Sequence, residues 1–138
     1  MPTTDRPVLT PSVGARHARI HGVGGYRPRR IVPNSEIIEA IDSSDEWIQQ
    51  RTGIKTRRFA SEDETILVMS EAAAKDAMAM AGVSAEQIGC VIVATVTYMY
   101  NTPAAAPQLA TMLGATGAAA FDISAACAGY CHGIAMAN

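Results

Sequence analysis

Apolar residues recur along the chain with two spacings, and each spacing predicts a different element. From Thr65 to Ala81 they return every three or four residues, which predicts the longest helix, with one apolar face. That face would consist of Ile66, Met69, Ala73, Ala77 and Met80. Cys90–Val96 is a continuous apolar run, which indicates a strand covered on both faces. A further helix over 103–113 and a buried strand over 118–123 complete an alternation typical of a parallel α/β layer.

The first third of the chain carries helix start and stop signals. Ser43 and Ser44 precede two acidic residues, a combination of capping hydroxyl and negative charge that suits a helix N-terminus. The helix DEWIQQRT should end at Gly53. Upstream, the pattern ARIHGVGGY at 18–26 indicates a short strand running into a glycine-rich turn. Its glycines lack the spacing of a dinucleotide-binding fingerprint, so a plain turn is the favoured interpretation.

Composition narrows the class of protein. Hydrophobic residues make up 49% of the 138 residues and charged residues 17%, which suits one domain with a buried core. We divide the chain into a flexible N-terminal arm, 1–18, and a domain, 19–138. A formal net charge of −2 argues against a general nucleic-acid binder, and the longest apolar run is too short to span a bilayer. Three cysteines without a secretion signal indicate free thiols in a reducing cytoplasm.

The segment FDISAACAGY, 121–130, is the candidate for chemistry. A buried strand should end near Ser124, and Cys127 then stands where the next helix begins. A helix N-terminus presents unpaired N–H groups and a partial positive charge, and both favour a thiolate nucleophile. Small neighbouring residues would let a substrate carbonyl approach, and backbone N–H groups could hold its oxyanion. From the residues alone, a structural cysteine is an equally good interpretation of Cys127.

The other two cysteines have different interpretations. Cys90 begins the predicted buried strand, which favours a structural role. Cys131 lies four residues after Cys127 and is followed by His132, so a Cys-x-x-x-Cys-His metal or haem site is an alternative. That motif lacks further paired ligands and has the wrong spacing for haem attachment. We therefore expect neither a metal nor a separate cofactor.

Four segments together resemble the type III β-ketoacyl-acyl-carrier-protein synthases. In chain order they are GVGGYRPRRIVPN, SSDEWIQQRTGIKTRRFA, AGVSAEQIGCVIVAT and DISAACAGY, and the similarity extends from about Arg19 to the last residue. The resemblance implies the thiolase fold, a duplicated α/β unit in αβαβα layers that works as a homodimer. It also implies that only the first unit, truncated near its end, is present here.

The resemblance further implies a two-step condensation. The cysteine would take an acyl group from acyl-coenzyme A, and malonyl-acyl-carrier protein would lose carbon dioxide to give the carbanion that attacks this thioester. The family's catalytic set is Cys-His-Asn, with the His and Asn in the second unit. No matching motif contains the histidines or the two later asparagines of this chain, namely His17, His21, His132, Asn101 and Asn138. We therefore expect no condensation by the 138 residues alone.

Coenzyme A binding is assigned by the resemblance to Ser43, Trp47 and Arg51, with the indole stacking on adenine. Trp47 and Arg51 are four residues apart and would share one helix face. Without the resemblance, a core anchor would be the favoured interpretation of Trp47. A basic cluster follows on the predicted extended edge over 54–59 and is interpreted as solvated or as attractive to phosphate or an acidic carrier protein. It consists of Lys55, Arg57 and Arg58.

The acyl group and the pathway leave alternatives open. Thr102, in the loop TYMYNTPAAAP, aligns with a bulky phenylalanine of acetyl-preferring members, so we expect longer or branched acyl primers. Initiation of fatty acid biosynthesis is the leading hypothesis. A related enzyme that loads a starter unit for polyketide synthesis is the second. The third is a non-catalytic module that dimerises through the thiolase-type surface.

Overall fold

The computed structural model describes residues 18–137, so most of the predicted N-terminal arm and residue 138 lie outside the described residues. The described part contains four strands and five α-helices. The strands are β1 Arg30–Pro33, β2 Thr56–Phe59, β3 Cys90–Ala94 and β4 Ala119–Ile123. The helices are α1 Ile38–Ile41, α2 Asp45–Thr52, α3 Ile66–Ala81, α4 Ala105–Leu113 and α5 Gly129–Ala137. Among these residues no helix combines the length and the apolar character needed to cross a bilayer.

The strands pair in two separate ways. β1 and β2 are antiparallel, with Arg30 opposite Phe59 and Pro33 opposite Thr56, which confirms the predicted extended edge. β3 and β4 are parallel, with Ala94 opposite Ile123, and α4 makes the crossover between them. Parallel strands need such a crossover because the end of one strand and the start of the next lie at opposite edges of the sheet. The predicted α/β unit with parallel pairing is therefore confirmed.

The core lies between β3 and α4. Val91 and Val93 point to the same side of β3, as alternate residues of a strand must, and are buried. They pack against a stripe of small and aliphatic side chains on α4. The stripe consists of Ala105, Ala106, Leu109 and Ala110. Alanines at this contact let the helix lie close to the strand, which accounts for a core that is rich in alanine and poor in aromatic residues.

The prediction that β3 is covered on both faces is wrong. Its second face, formed by Cys90, Ile92 and Ala94, lies beside α5 across an open apolar groove of about 500 Å³. Cys90 is exposed, so its predicted burial in the strand is wrong as well. An apolar run reports that a strand can be buried on both sides. It does not report whether the described residues supply both covering layers.

Helix α3 matches its predicted bounds but not its predicted packing. The Thr65 hydroxyl accepts a hydrogen bond from Val68 N at 3.3 Å, and Gly82 ends the helix with φ 67°. None of its residues is buried, and Met80 is 62% exposed. The predicted apolar face therefore exists in sequence but is only partly covered by the described residues.

Residues 18–26 form neither the predicted strand nor the predicted turn. The segment is without regular secondary structure and runs along α3 in the opposite direction, and the first strand begins at Arg30. A Cβ at Gly24 would lie 2.0 Å from the carbonyl oxygen of Ala73, and one at Gly22 would lie 2.3 Å from that of Ala77. These glycines are needed for close approach to a helix, not for a turn.

Candidate functional site

Cys127 lies at the junction between β4 and α5, as predicted. After β4 ends at Ile123, the chain forms a 3₁₀ turn at Ala126–Ala128 and then enters α5 at Gly129. Ala126 has φ 44°, a left-handed conformation that is rare and costly for a residue with a Cβ. Such conformations cluster at functional sites, where the surroundings hold them in place. The Cys127 side chain is exposed on this turn and accessible to a substrate.

Small residues allow the nucleophile turn to lie against the sheet. A Cβ at Gly129 would lie 3.2 Å from Cβ of Ala94 at the end of β3, closer than most real contacts of this kind. The first residue of α5 is therefore tightly packed on the core strand while Cys127, two residues earlier, faces outward. The backbone N–H of Ala128 donates to the carbonyl of Ala125 at 3.0 Å, which closes the turn. This arrangement presents a thiol on a fixed backbone.

Among the described residues, no cluster of ligands supports the alternative that Cys127, Cys131 and His132 bind a metal ion. Within residues 18–137, no group of three or more His, Cys, Asp or Glu side chains is placed to hold a metal ion. Cys127, Cys131 and His132 therefore do not form such a group, although both cysteines are exposed free thiols. Their position on consecutive turns of one helical segment explains why the sequence spacing alone suggested a site.

Helix α2 carries the predicted coenzyme A residues. The Ser44 hydroxyl accepts from Trp47 N at 3.2 Å, and Gly53 ends the helix with φ 71°, so both predicted ends are confirmed. Trp47 is 55% exposed, which contradicts the alternative that it is a core anchor. The guanidinium carbon of Arg51 lies 5.8 Å from the centre of the Trp47 ring. The cation lies over one face of the indole, which leaves the opposite face for a planar ligand.

Ser43 lies beside Trp47 in a different environment. The two residues line a surface groove of about 410 Å³ together with the end of α1 and the cap of α2. The hydroxyl oxygen of Ser43 is buried and has no hydrogen-bond partner among the described residues. A buried hydroxyl without a partner is costly, so a water or a ligand group that entered beside it would gain a hydrogen bond.

Two of the three side chains in the predicted basic cluster form hydrogen bonds within the protein. Arg57 donates to the side-chain oxygen of Asn34, and Arg58 donates to the carbonyl oxygens of Pro28 at 3.1 Å and Arg29 at 3.3 Å. Both arginines therefore hold β2 against neighbouring segments. Lys55 is the exposed cation of the three that has no bond of this kind in the described structure. The partners of Arg57 and Arg58 are neutral groups, so the cluster keeps its three positive charges while two of its side chains are held in place.

Asn34 joins these segments and was not singled out from the sequence. Its side chain is 1% exposed and donates to Asp45 Oδ1 at 2.6 Å and to the carbonyl of Ile54 at 2.8 Å. The hydrogen bonds from Asn34 and then Gln49 hold the pKa of Asp45 below its usual value. An asparagine in a loop is ordinary, so no sequence signal distinguished this one.

Thr102 is exposed in the loop between β3 and α4. That loop and the end of β4 line one groove of about 210 Å³, to which Asn101 contributes from the loop and Ser124 from the segment leading to Cys127. Neither Thr102 nor Cys127 lines this groove, so the structure brings the loop of Thr102 beside the segment that leads to Cys127 but does not bring Thr102 to the thiol. The groove beside Trp47 is a separate one.

Relatives with known names match nearly the whole chain. No protein-family model matches the sequence. The chain is 55% identical to β-ketoacyl-[acyl-carrier-protein] synthase III of Streptomyces glaucescens over 130 residues, which is 94% of this chain and 39% of the relative. It is 54% identical to synthase III 1 of Streptomyces coelicolor, again over 94% of this chain and 38% of the relative. The chain therefore spans well under half the length of the curated relatives it matches.

Solved structures agree with the sequence matches. The priming β-ketosynthase of the R1128 polyketide biosynthetic pathway superposes with a TM-score of 0.82 and 48% identity, covering 91% of this chain and 39% of that one. The 3-oxoacyl-[acyl-carrier-protein] synthase III of Aquifex aeolicus gives 0.78 and 44%, covering 86% of this chain and 38% of that one. The predicted thiolase-like fold is confirmed. Over the residues it contains, the chain belongs to the β-ketoacyl-acyl-carrier-protein synthase III family and matches the N-terminal part of its members.

Proposed function

We propose that this sequence supplies the acyl-accepting half of a β-ketoacyl-acyl-carrier-protein synthase III, with Cys127 as the nucleophile. The observation that carries the proposal is the position of Cys127. It is an exposed thiol on a turn with a left-handed alanine, between a core strand and a tightly packed helix. The family match over 94% of the chain supports the same assignment.

The first chemical step is a thioester exchange. The sulfur of Cys127 attacks the carbonyl carbon of acyl-coenzyme A, a carbon–sulfur bond forms, and the bond to coenzyme A breaks. Coenzyme A leaves as a thiol with the proton that Cys127 gives up. Backbone N–H groups of the turn that begins α5 are the donors nearest the developing oxyanion in this proposal.

The second step is a decarboxylative condensation. Malonyl-acyl-carrier protein loses carbon dioxide, and the resulting carbanion attacks the Cys127 thioester, which releases the sulfur and leaves a 3-oxoacyl product on the carrier protein. A His and an Asn in the family's second unit would stabilise that carbanion, and no histidine here lies in a matching motif. We therefore expect no condensation by the 138 residues alone.

Coenzyme A is proposed to enter along α2. The exposed Trp47 ring, the Arg51 cation beside it and the unpartnered Ser43 hydroxyl in the adjoining groove offer stacking, charge and a hydrogen bond to an adenine nucleotide. Acyl carrier protein is the second proposed partner, and the intact enzyme is expected to be a cytoplasmic homodimer. No metal and no further cofactor are part of the proposal.

Starter-unit loading for polyketide synthesis is a second candidate. It is favoured by the likeness to the priming β-ketosynthase of the R1128 pathway, at 48% identity. The two candidates share the cysteine and differ in acyl group. Thr102 is small and exposed in a loop that lies beside the segment leading to Cys127, and the resemblance places it near the acyl group. We therefore propose that longer or branched acyl groups are accepted. An acetyl-only preference in a chain-length series would contradict this.

Intact-mass spectrometry tests the nucleophile. The chain is incubated with a panel of acyl-coenzyme A thioesters, in parallel with Cys127→Ala and with Cys131→Ala as the matched control. We expect one acyl adduct in the wild type and in Cys131→Ala, and none in Cys127→Ala. An adduct that survives Cys127→Ala contradicts the assignment. A folded dimer with no adduct favours the non-catalytic dimerising module instead.

A further inference from the structure

Helix α2 has little apolar packing to hold it in place. It has eight residues, and Ile48 is its buried residue, at 3% exposed. Isolated helices shorter than about 12 residues are marginal in water, so tertiary contacts must fix the helix. The contact of one isoleucine sets how closely α2 packs on the protein, but it does not set the rotation of the helix about its own axis. The direction in which Trp47 and Arg51 point therefore depends on polar contacts.

Asn34 supplies those contacts at both ends of the helix. One N–H of its amide donates to Asp45, the first residue of α2, and the same nitrogen donates to Ile54, just beyond the cap at Gly53. The side chain of the first residue of α2 and the backbone just beyond its last residue therefore meet at one nitrogen atom. Its oxygen accepts from Arg57 on β2, so the amide also ties α2 to the β1–β2 hairpin.

The chemistry of the partners fixes the orientation of this amide. A carboxylate and a carbonyl only accept hydrogen bonds, and a guanidinium only donates. The nitrogen must therefore face Asp45 and Ile54, and the oxygen must face Arg57. With the side chain 1% exposed, water cannot replace any of these bonds without entering the structure.

We infer that Asn34 is a positioning residue for coenzyme A binding, which holds α2 so that Trp47 and Arg51 face the ligand. Asn34 itself lies behind the helix and touches no ligand in this arrangement. The inference rests on the proposed function for the identity of the ligand. The orientation of α2 by Asn34 does not depend on that identity, so the two can fail separately.

Fluorescence of Trp47 tests the positioning without any ligand. The chain contains one tryptophan, so its anisotropy decay reports α2 alone. In Asn34→Ala we expect faster local depolarisation of the indole while the far-ultraviolet circular dichroism spectrum is retained. Asn101→Ala, an exposed asparagine in the β3–α4 loop, is the matched control and should leave the decay unchanged. An unchanged decay in folded Asn34→Ala overturns the inference.

A reciprocal exchange separates positioning from general destabilisation. Asn34→Asp alone places two carboxylates at a contact of 2.6 Å and should release the helix. This exchange decides the role of Asn34 even if Asn34→Ala does not fold. Adding Asp45→Asn restores a donor–acceptor pair with the roles reversed, keeps the net charge and leaves an acceptor for Arg57. In the double variant the Ile54 carbonyl loses its donor, so we expect a Trp47 decay that is slower than in Asn34→Asp but short of the wild type. A decay no slower than in Asn34→Asp overturns the role assigned to the Asn34–Asp45 bond.

Coenzyme A titration by calorimetry adds the functional readout. Loss of a hydrogen bond to a charged group should weaken binding roughly tenfold in Asn34→Ala. We expect no change in Glu62→Ala, whose exposed side chain lines neither of the grooves described above. If the wild-type chain binds no coenzyme A, the proposed ligand is wrong, while the fluorescence comparison still decides the role of Asn34. If coenzyme A binds equally to both Asn34→Ala and wild type, the positioning role in binding is wrong.

Discussion

The carboxylate of Asp122 on β4 accepts hydrogen bonds from the backbone N–H of Ala106 at 2.7 Å and from that of Ala105 at 2.9 Å. Helix α4 has no cap from its own flanking residue, Ala104, so a side chain from a neighbouring strand satisfies its first donors. The negative charge also faces the positive end of the helix dipole. One residue thus joins the strand that leads to Cys127 with the helix that follows the loop of Thr102.

Replacement of Asp122 should destabilise this junction. Asp122→Ala removes both bonds and leaves two N–H groups of buried alanines without partners, so we expect a loss of about 1–3 kcal/mol in the free energy of unfolding. Asp122→Asn keeps an acceptor but loses the charge and should lose less. Urea unfolding followed by circular dichroism measures both. Equal stability of Asp122→Ala and wild type would show that the carboxylate is not the cap of α4.

The contact of residues 18–26 with α3 predicts that two adjacent glycines differ in how far a substitution destabilises the protein. Gly24→Ala places a methyl group against the Ala73 carbonyl, and the overpacking should cost about 1–3 kcal/mol. Gly25→Ala is the control, because a Cβ there meets nothing within 4 Å. Thermal unfolding of the two variants checks the contrast. Equal melting temperatures would mean that the segment does not lie on α3.

Glu64 predicts a dependence of stability on pH. Its side chain is 1% exposed and accepts from Tyr26 Oη at 2.5 Å and from the backbone N–H of Arg29 and Ser61. These bonds, that of Tyr26 first, lower the pKa of Glu64 to about 2 from an ordinary value of 4.5.

Because the folded pKa lies below the unfolded one, the stabilisation by Glu64 is complete above about pH 5 and is lost as pH falls toward 2. Glu64→Gln should therefore be less stable than wild type at neutral pH, and the difference should shrink on acidification. Urea unfolding at a series of pH values measures this. Glu62→Gln, an exposed neighbour, is the control and should show no such convergence. A constant difference for Glu64→Gln would contradict the prediction.

The open face of β3 predicts the reactivity of the thiols. Cys90, Cys127 and Cys131 are all exposed, so a thiol reagent should titrate three groups per chain without denaturant. Cys90→Ser should lower the count to two in the native protein. A count of two for the wild type, unaffected by Cys90→Ser, would show that the face is covered in solution.

Local signals predicted the elements well. The caps at Ser44 and Gly53 act within a few residues, and the sequence contains all of their partners. The junction that carries Cys127 was predictable for the same reason, since a strand, small residues and a helix follow one another in the chain. The family resemblance then added the reaction that spacing alone left open.

Signals that depend on distant partners were missed. The apolar run at β3 and the apolar stripe of α3 predicted burial, but coverage depends on layers that the described residues supply only in part. Asn34 and Asp122 act on residues up to 23 and 17 positions away, respectively, so nothing in their immediate sequence marks them. The glycines at 22 and 24 suggested a turn because close approach to a helix leaves no local pattern.

The two glycines that lie against α3 also fix the position of the N-terminal segment along that helix. In an extended chain alternate residues face the same side, so Gly22 and Gly24 meet the helix while Val23 faces away. A slip of one residue would bring the branched side chain of Val23 to a place where a single methyl group already collides with the helix backbone. A slip of two residues would bring the side chain of Ile20 or of Tyr26 to one of the two glycine positions. The pair of glycines therefore selects one alignment of the segment on α3.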